Sequence, residues 1–339
     1  MIATVVVPAY NAAATLTKCL DSLSAQEIRP NLKLEIVVVD DGSTDQTATI
    51  VRRYQGVRLI CRPHRGAATA RNVGVRAAAP TCTAILFTDA DCMPAPDWAM
   101  HLVEALENTG PMVAAVKGIY RSNQCSAVAR FVQAEYEERY SRFAQGKAKP
   151  GFADTYCAAY HRRILLEYPF DETLPGAIVE DAELGWRLSQ AGYTFEFAPQ
   201  AIVYHHHPTL LKTYFQRKFR IARWRVTIYH RYPGRLPQDG HTSRLAQLQM
   251  LLLATVVASV GLTGLLSLKQ SRCKPAAARV SSSLLVALQL SFWPFLKRLE
   301  GKLVPIGWLL LNLRTLAFSG GAFTGLGQLV LGQLSKKVY

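Results

Sequence analysis

The chain has 339 residues, enough for one large domain or two of moderate size; half of it is hydrophobic and only 19% is charged. Its seven cysteines are odd in number and lack C-x-x-C spacing, which argues against a disulfide framework or zinc site and fits reduced thiols. A formal charge of +15, evenly spread, would suggest nucleic-acid binding. Instead the acids lie almost entirely before residue 207, and cations crowd between Lys212 and Arg244, beside an apolar region, so the charge points to membrane lipids and no nucleic acid.

Taken in chain order, Ile2–Val7 is a continuous β-branched apolar run, as in a strand buried on both faces. No secretory leader is expected before it, because the start lacks a basic, long-apolar and small-residue pattern. Pro8-Ala9-Tyr10-Asn11 ends the strand, and an amphipathic helix is expected over 12–26. A second buried strand at 34–39 ends in Asp40-Asp41-Gly42, and Ser43 with Gln46 suggests a capping box for a helix to about Tyr54. A strand at 57–61, a helix at 67–78 and a strand at 84–88 follow, the last ending on Asp89. Such alternation builds a parallel sheet wrapped by helices, and ligands bind at the carboxyl ends of its strands.

Further on, 113–118 reads as a strand and 127–144 as a helix. A helix from Glu180 has acids in its first turn and Gly192 as its C-terminal cap. Two strands, 193–197 and 201–205, come next. After the basic stretch, 245–268 is uncharged and long enough to span a bilayer as a helix. Weaker apolar segments are 280–296, 303–313 and 315–334. The basic loop Lys269, Arg272, Lys274 and Arg279 and the preceding soluble part would both belong in the cytoplasm. Both can be there if 245–268 is a re-entrant hairpin breaking near Gly261–Gly264; a true span with further returning segments is the favoured reading.

Asp89-Ala90-Asp91 places two carboxylates on a turn after a buried strand, where hard oxygens suit Mg2+ or Mn2+; alone, such a triplet marks many ordinary turns. Glu180-Asp181 alone would suit a helix start. Together with their neighbours they carry a pattern. Val-Val-Val-Pro-Ala-Tyr-Asn (5–11), Val-Val-Val-Asp-Asp-Gly-Ser-Thr-Asp (37–45), Gly-Ala-Ala-Thr-Ala-Arg-Asn-Val-Gly (66–74), Ile-Leu-Phe-Thr-Asp-Ala-Asp (85–91) and Glu-Asp-Ala-Glu-Leu-Gly-Trp-Arg-Leu (180–188) stand in this order. Over about residues 1–225 the chain resembles the family 2 glycosyltransferases.

The resemblance implies an α/β GT-A fold, a Rossmann-like nucleotide-binding sheet with flanking helices, here followed by C-terminal transmembrane or membrane-associated helices. The expected division is a catalytic domain at 1–225, a basic juxtamembrane linker at 226–244 and a membrane-associated region at 245–339. It further implies that Pro8, Ala9, Tyr10, Asp41, Arg71, Asp89 and Ala90 bind the nucleotide sugar, with Asp41 and Arg71 toward the base. Asp91, with Asp89, would hold the divalent cation (Mg2+ or Mn2+). Asp181, beside Glu180, would be the general base of an inverting transfer; a helix N-terminus lowers a carboxyl pKa, so a compensating environment is expected. His205 completes the metal site in one reading and lies on a solvated turn in the other. Trp186 is expected to pack, and Arg187 to pair with Glu183.

Two departures stand out. Ala12 and Ala13 replace acids common in relatives, and Arg220 occupies the glutamine position of the Q-x-x-R-W pattern of processive synthases, although Arg223-Trp224 is present. The reading is an enzyme at the inner, cytoplasmic face of the cell membrane, taking a UDP- or GDP-linked donor and a lipid-linked or polysaccharide acceptor. The alternatives are a processive polysaccharide synthase and a catalytically silent nucleotide-sugar-binding scaffold.

Overall fold

The structure, a computed structural model, describes residues 2–174, 178–232, 243–268 and 274–332. The chain divides into two compact units: one holds residues up to 124 and 136–207, the other 125–135 and 208 onward. The break therefore falls after His207. The segment expected to close a catalytic domain at 225 belongs to the helical unit, and most of the expected linker, 233–242, lies outside the described residues.

In the first unit an eight-stranded sheet runs in the order β3-β2-β1-β4-β7-β6-β8-β5. The strands are β1 (Ile2–Ala9), β2 (Lys33–Asp40), β3 (Val57–Cys61), β4 (Cys82–Phe87), β5 (Cys92–Pro94), β6 (Val113–Arg121), β7 (Ala158–His161) and β8 (Thr194–His205). The first four are parallel, as the strand–helix alternation predicts. Beyond β4 the sheet is mixed, because β7 runs antiparallel to both β4 and β6. The two strands expected at 193–197 and 201–205 are one, β8, parallel to β6 and antiparallel to β5.

The β-branched strands are buried on both faces because helices cover both. Val5, Val7, Ile36, Val38 and Leu86 pack with Leu16 and Leu20 of α1 (Leu16–Ser24) and Trp98 and Leu102 of α4 (Trp98–Glu107). The intervening Val6, Ile85 and Phe87 face the other way, toward α3 (Ala67–Ala77), α6 (Arg162–Glu167) and α7 (Glu180–Gln190). The short α2 (Thr47–Val51) lies between β2 and β3, and α5 (Ala127–Ala144) straddles the division between the units.

The capping box expected from Ser43 and Gln46 does not form. Ser43 Oγ accepts the Asn11 N–H at 2.9 Å, and Asp45 Oδ1 takes the Thr47 N–H at 2.9 Å. The helix expected from 12 begins at Leu16 because the Ala12 and Ala13 amides are held by Thr47 Oγ1 and Asp45 Oδ2. The two alanines therefore contribute backbone donors to a clip between the ends of β1 and β2. Gly192, with φ +89°, ends α7 in the left-handed conformation expected of a C-terminal cap.

The second unit contains α8 (Leu211–Arg231), α9 (Arg244–Leu268), α10 (Lys274–Leu290), α11 (Trp293–Leu296) and α12 (Val304–Val330). The alternative of a re-entrant break near Gly261–Gly264 is not met: α9 runs unbroken through both, since a helix glycine with open space around it loses only propensity. The two apolar segments expected at 303–313 and 315–334 form the single helix α12, which ends at Val330. Residues 269–273 of the basic loop lie outside the described residues.

On α3, Gly74 permits the approach to β1, since a Cβ there would run into the Val6 side chain. Gly74→Val should cost about 1–3 kcal/mol through overpacking, read as a lower midpoint of chemical denaturation.

Candidate active site

Loops at the carboxyl ends of β1, β2 and β4 supply three polar clusters. At the end of β1, Asn11 adopts φ +49° and holds Thr44 N–H through its side-chain oxygen at 2.9 Å. This conformation, tolerated by asparagine, turns Tyr10 outward at 49% exposure, where its ring stacks on His64 at 4.1 Å. Pro8 is half-buried and Ala9 buried, with Ala9 C=O accepting Asp41 N–H at 2.8 Å.

Asp41 is itself buried. Its carboxylate accepts hydrogen bonds from Arg62 Nη1 at 2.8 Å and Gly66 N at 2.7 Å, and His64 Nδ1 lies 2.9 Å away. This carboxylate ties the β3–α3 loop to β2. A base N–H would have to share an acceptor already used by the chain.

Asp89, Ala90 and Asp91 form the turn between β4 and β5, closed by Cys92 N–H donating to Asp89 C=O at 3.0 Å. Ala90 packs into the core, while the Asp89 and Asp91 side chains are 33% and 50% exposed. The register of β5 on β8 sets Cys92 opposite His205, which brings His205 Nε2 to 3.2 Å from Asp91 Oδ2. Of the three consecutive histidines, His205 at the end of β8 and His207 beyond it are buried, and His206 is exposed. His205 stacks on Tyr120 at 4.7 Å, and Tyr120 stacks on Tyr156 at 3.4 Å. The solvated-turn reading of His205 is thereby replaced by a buried imidazole aimed at Asp91.

Asp89, Asp91 and the Cys92 thiol can bring one donor atom each within 4.8 Å of one another. Burial and the two neighbouring acids push the Cys92 thiol well above its ordinary range, so it remains protonated and is a poor ligand. Burial would raise Asp91 too, but the His205 hydrogen bond and charge outweigh it and hold the carboxyl low, ready as an anion. Carboxylate oxygens plus one imidazole fit Mg2+ or Mn2+ better than a thiol-seeking metal.

Arg71, implied by the resemblance on the base side of the nucleotide, lies in an internal ion-pair bridge. It is 2% exposed, donating from Nη1 to Glu180 Oε1 at 2.6 Å and from Nη2 to Asp89 Oδ1 at 3.0 Å. It joins the Asp89–Asp91 turn to the start of α7. Next to it, Asn72 donates to Phe170 C=O and Glu172 Oε1, both at 2.9 Å, and accepts Phe170 N–H.

Glu180 is buried against Arg71; Asp181 is only partly exposed and accepts the Ala182 N–H at 2.7 Å. Burial, then the Glu180 charge, push the Asp181 carboxyl from 3.8 up to about 6, against Arg71 and the backbone bond. This is the compensating environment that a base at a helix N-terminus requires. Trp186 is buried, and Arg187 pairs with Glu183 at 3.0 Å, both as the sequence predicts.

Sequence reasoning missed Lys117 and Asp154. They form a buried ion pair in the electrostatic neighbourhood of Asp181. Burial and Arg139 push the Lys117 ammonium well below its ordinary range. The available signal was a lone cation in the apolar run Val113–Gly118.

Residues 4–168 match the family model described as glycosyl transferase family 2. Glycosyltransferase AglE of Haloferax volcanii is 26% identical over 239 residues, covering 66% of this chain and 73% of that protein. The pre-mycofactocin glycosyltransferase of Mycobacterium tuberculosis is 27% identical over 274 residues, covering 77% and 53%. Poly-beta-1,6-N-acetyl-D-glucosamine synthase of Staphylococcus aureus is 23% identical over 221 residues, covering 63% and 52%. The chain thus spans about half the length of the latter two. Among solved structures, mannosyltransferase PcManGT from Pyrobaculum calidifontis, in complex with GDP-Man and Mn2+, superposes with a TM-score of 0.63 at 24% identity. That match covers 93% of this chain and 86% of the other, and it shows the shared GT-A fold.

The raised Asp181 carboxyl has a stability consequence. Its folded value lies above the unfolded 3.8, so the folded state holds the proton longer, and stability is lost as pH rises from 3.8 through about 6. The loss is up to about 3 kcal/mol. Asp181→Asn cannot titrate, so its melting temperature should gain on the parent's between pH 4 and pH 8; a constant difference would show that burial does not govern this carboxyl.

Proposed function

The chain belongs to glycosyltransferase family 2 through residues 4–168, and from that premise we propose that it transfers a sugar with inversion from a UDP- or GDP-linked donor to a lipid-linked or polysaccharide acceptor. The observation that carries this reading is the Arg71 bridge, because it sets Glu180, and with it Asp181, in the same constellation as Asp89. The donor would lie across the ends of β1, β2 and β4, with its base near Tyr10. Donor and metal readings draw support from PcManGT, whose structure holds GDP-Man and Mn2+.

Asp91, Asp89 and His205 would hold the divalent cation. When bound, it would neutralise the diphosphate and favour its departure. Asp181 then acts as general base: the acceptor oxygen bonds to the anomeric carbon, the bond to the diphosphate breaks with its electron pair, and the acceptor proton passes to Asp181. Near pH 7 a carboxyl with a pKa of about 6 is ionised yet basic enough to take that proton. Glu180, neutralised by Arg71, aligns the first turn of α7 and leaves the proton to its neighbour.

The enzyme is proposed to work at the cytoplasmic face of a membrane. Two helices, Arg244–Leu268 and Gly301–Val330, pass the length and composition test for crossing one. The cations of α8 suit anionic headgroups near a lipid acceptor.

Two results are expected. With a matched nucleotide sugar and acceptor, Asp181→Asn lowers kcat by about 100- to 10,000-fold with little change in donor KM. The parent's kcat/KM rises about tenfold per pH unit below pH 6 and levels off above it; a flat profile, or an unimpaired Asp181→Asn, sinks Asp181 as base. Separately, EDTA should abolish turnover and Mn2+ or Mg2+ restore it, with Asp91→Ala needing far more metal for its residual activity. Product length in the same assay distinguishes single transfer from processive polymerisation.

A further inference from the structure

The two helices apolar enough to cross a membrane differ in what surrounds them. The most apolar stretch of α9 is 6% buried, whereas that of the helix containing α12 is 33% buried. α8 covers most of α12, while nearer its start Arg314 Nη2 donates to Gln249 Oε1 of α9 at 2.8 Å and Asn312 Oδ1 accepts from Gln289 Nε2 of α10 at 3.0 Å. Gly321 and Gly325 of α12 lie so close to α8 that a Cβ on them would run into the carbonyl oxygens of Phe219 and Arg223, respectively. Arg223 Nε also donates to Gln328 Oε1 at 2.7 Å. Further back, Arg314 of α12 and Lys218 of α8 share the carboxylate of Glu135 at 3.1 and 2.8 Å. The helices therefore lie side by side from Arg314 to Gln328, joined at backbone contact and by ion pairs.

This attachment decides where α12 can go. Its partner α8 carries seven lysines and arginines in 21 residues. Of these Lys212 and Arg220 are exposed, and each such cation would cost about 2.5–3.5 kcal/mol at the centre of a bilayer. A helix locked to α8 cannot run through hydrocarbon without dragging those cations in or tearing the glycine contacts apart. On the side of α12 opposite Arg314, Gly321 and Gly325, the 3.6-residue period aligns Leu316, Phe323, Leu326 and Val330. All four are exposed, Phe323 by 81% and Val330 by 85%. An apolar stripe backed by a basic helix is the pattern of an interfacial element.

α9 is about as apolar as α12 but far less covered, and it exposes Leu251, Val257 and Leu265. It packs against α10, which returns along it with Ser281 near Thr263.

We propose that α12 does not span the membrane but lies in its surface beside α8, with its Leu316–Val330 stripe in the acyl boundary and the α8 cations on anionic headgroups, while the α9–α10 hairpin is the part that enters the bilayer. The inference rests on the membrane-associated reading above and adds its topology. Both ends of α12 then face the same side.

The test uses the full chain in membrane vesicles of a single orientation, with Cys61, Cys125 and Cys273 replaced by serine and one new cysteine, Lys302→Cys or Leu331→Cys, flanking α12. An impermeant maleimide should label both positions from the same face, without detergent. Labelling of the two from opposite faces overturns the proposal. In a second measurement, a nitroxide at Phe323→Cys should report a depth of about 5–10 Å below the headgroups, and one at Val257→Cys a position near the midplane. A midplane depth at 323 overturns the proposal as well. Should carbonate or high salt release the chain from vesicles entirely, the membrane reading itself fails; a chain that stays bound with its α12 ends on opposite sides refutes only the topology.

Discussion

The active-site half of the molecule depends on one buried guanidinium. Arg71 is enclosed with Asp89 on one side and Glu180 on the other, residues 18 and 109 positions away in the chain. Carboxylates drawn into a protein interior are costly unless paired, and removing one partner of such a group costs about 3–5 kcal/mol because the remaining charge is stranded. The planar fork of arginine reaches two acids at once, which a lysine ammonium does less well. Helix α3 supplies this arginine because Gly74 allows it to settle onto β1, and the adjacent Asn72 fastens Phe170 and Glu172. Sheet packing, the Asp89–Asp91 turn and the start of α7 are thus set by one helix.

Much of this arrangement was legible. Buried strands announced themselves as β-branched runs, and the polar residues at their ends marked the crevice before any contact was visible. Asp91 and Asp181 could be singled out because their surroundings in sequence were specific. What could not be read was which groups would neutralise which. Arg71 sits in a helix whose local pattern says nothing of Glu180, so the bridge it makes to that residue was not legible. Asp41 likewise proved to be a tie to Arg62 and the Gly66 amide. His205 stood between two readings until the pairing of β5 with β8 set it against Asp91. Lys117 was hidden within an apolar strand, where a charge has meaning only once Asp154 is seen beside it.

Composition was also a poor guide to the helical unit. Hydropathy treats α9 and α12 as similar, because it counts side chains and ignores what touches them. The glycines that make α12 look merely permissive are the ones that admit the α8 backbone, and Arg314 lies on that same side. In α9, Gly261 and Gly264 have open space around them and interrupt nothing. The same residue type therefore marks a seam in one helix and no feature in the other. Only the partner decides.

Adjacent acids at the start of α7 show how one short sequence yields two chemistries. Both carboxylates sit in the first turn of α7, at the positive end of its dipole. Glu180 points into the Arg71 bridge and is held there as a paired anion. Asp181, one residue on, receives a single backbone hydrogen bond and is pushed up by burial and by the charge of Glu180 itself. Glu180 thus acts on its neighbour as a like charge, second to burial among the causes that raise Asp181. The contrast between the two carboxyls does not require distant positions. It requires one arginine that can reach only the first.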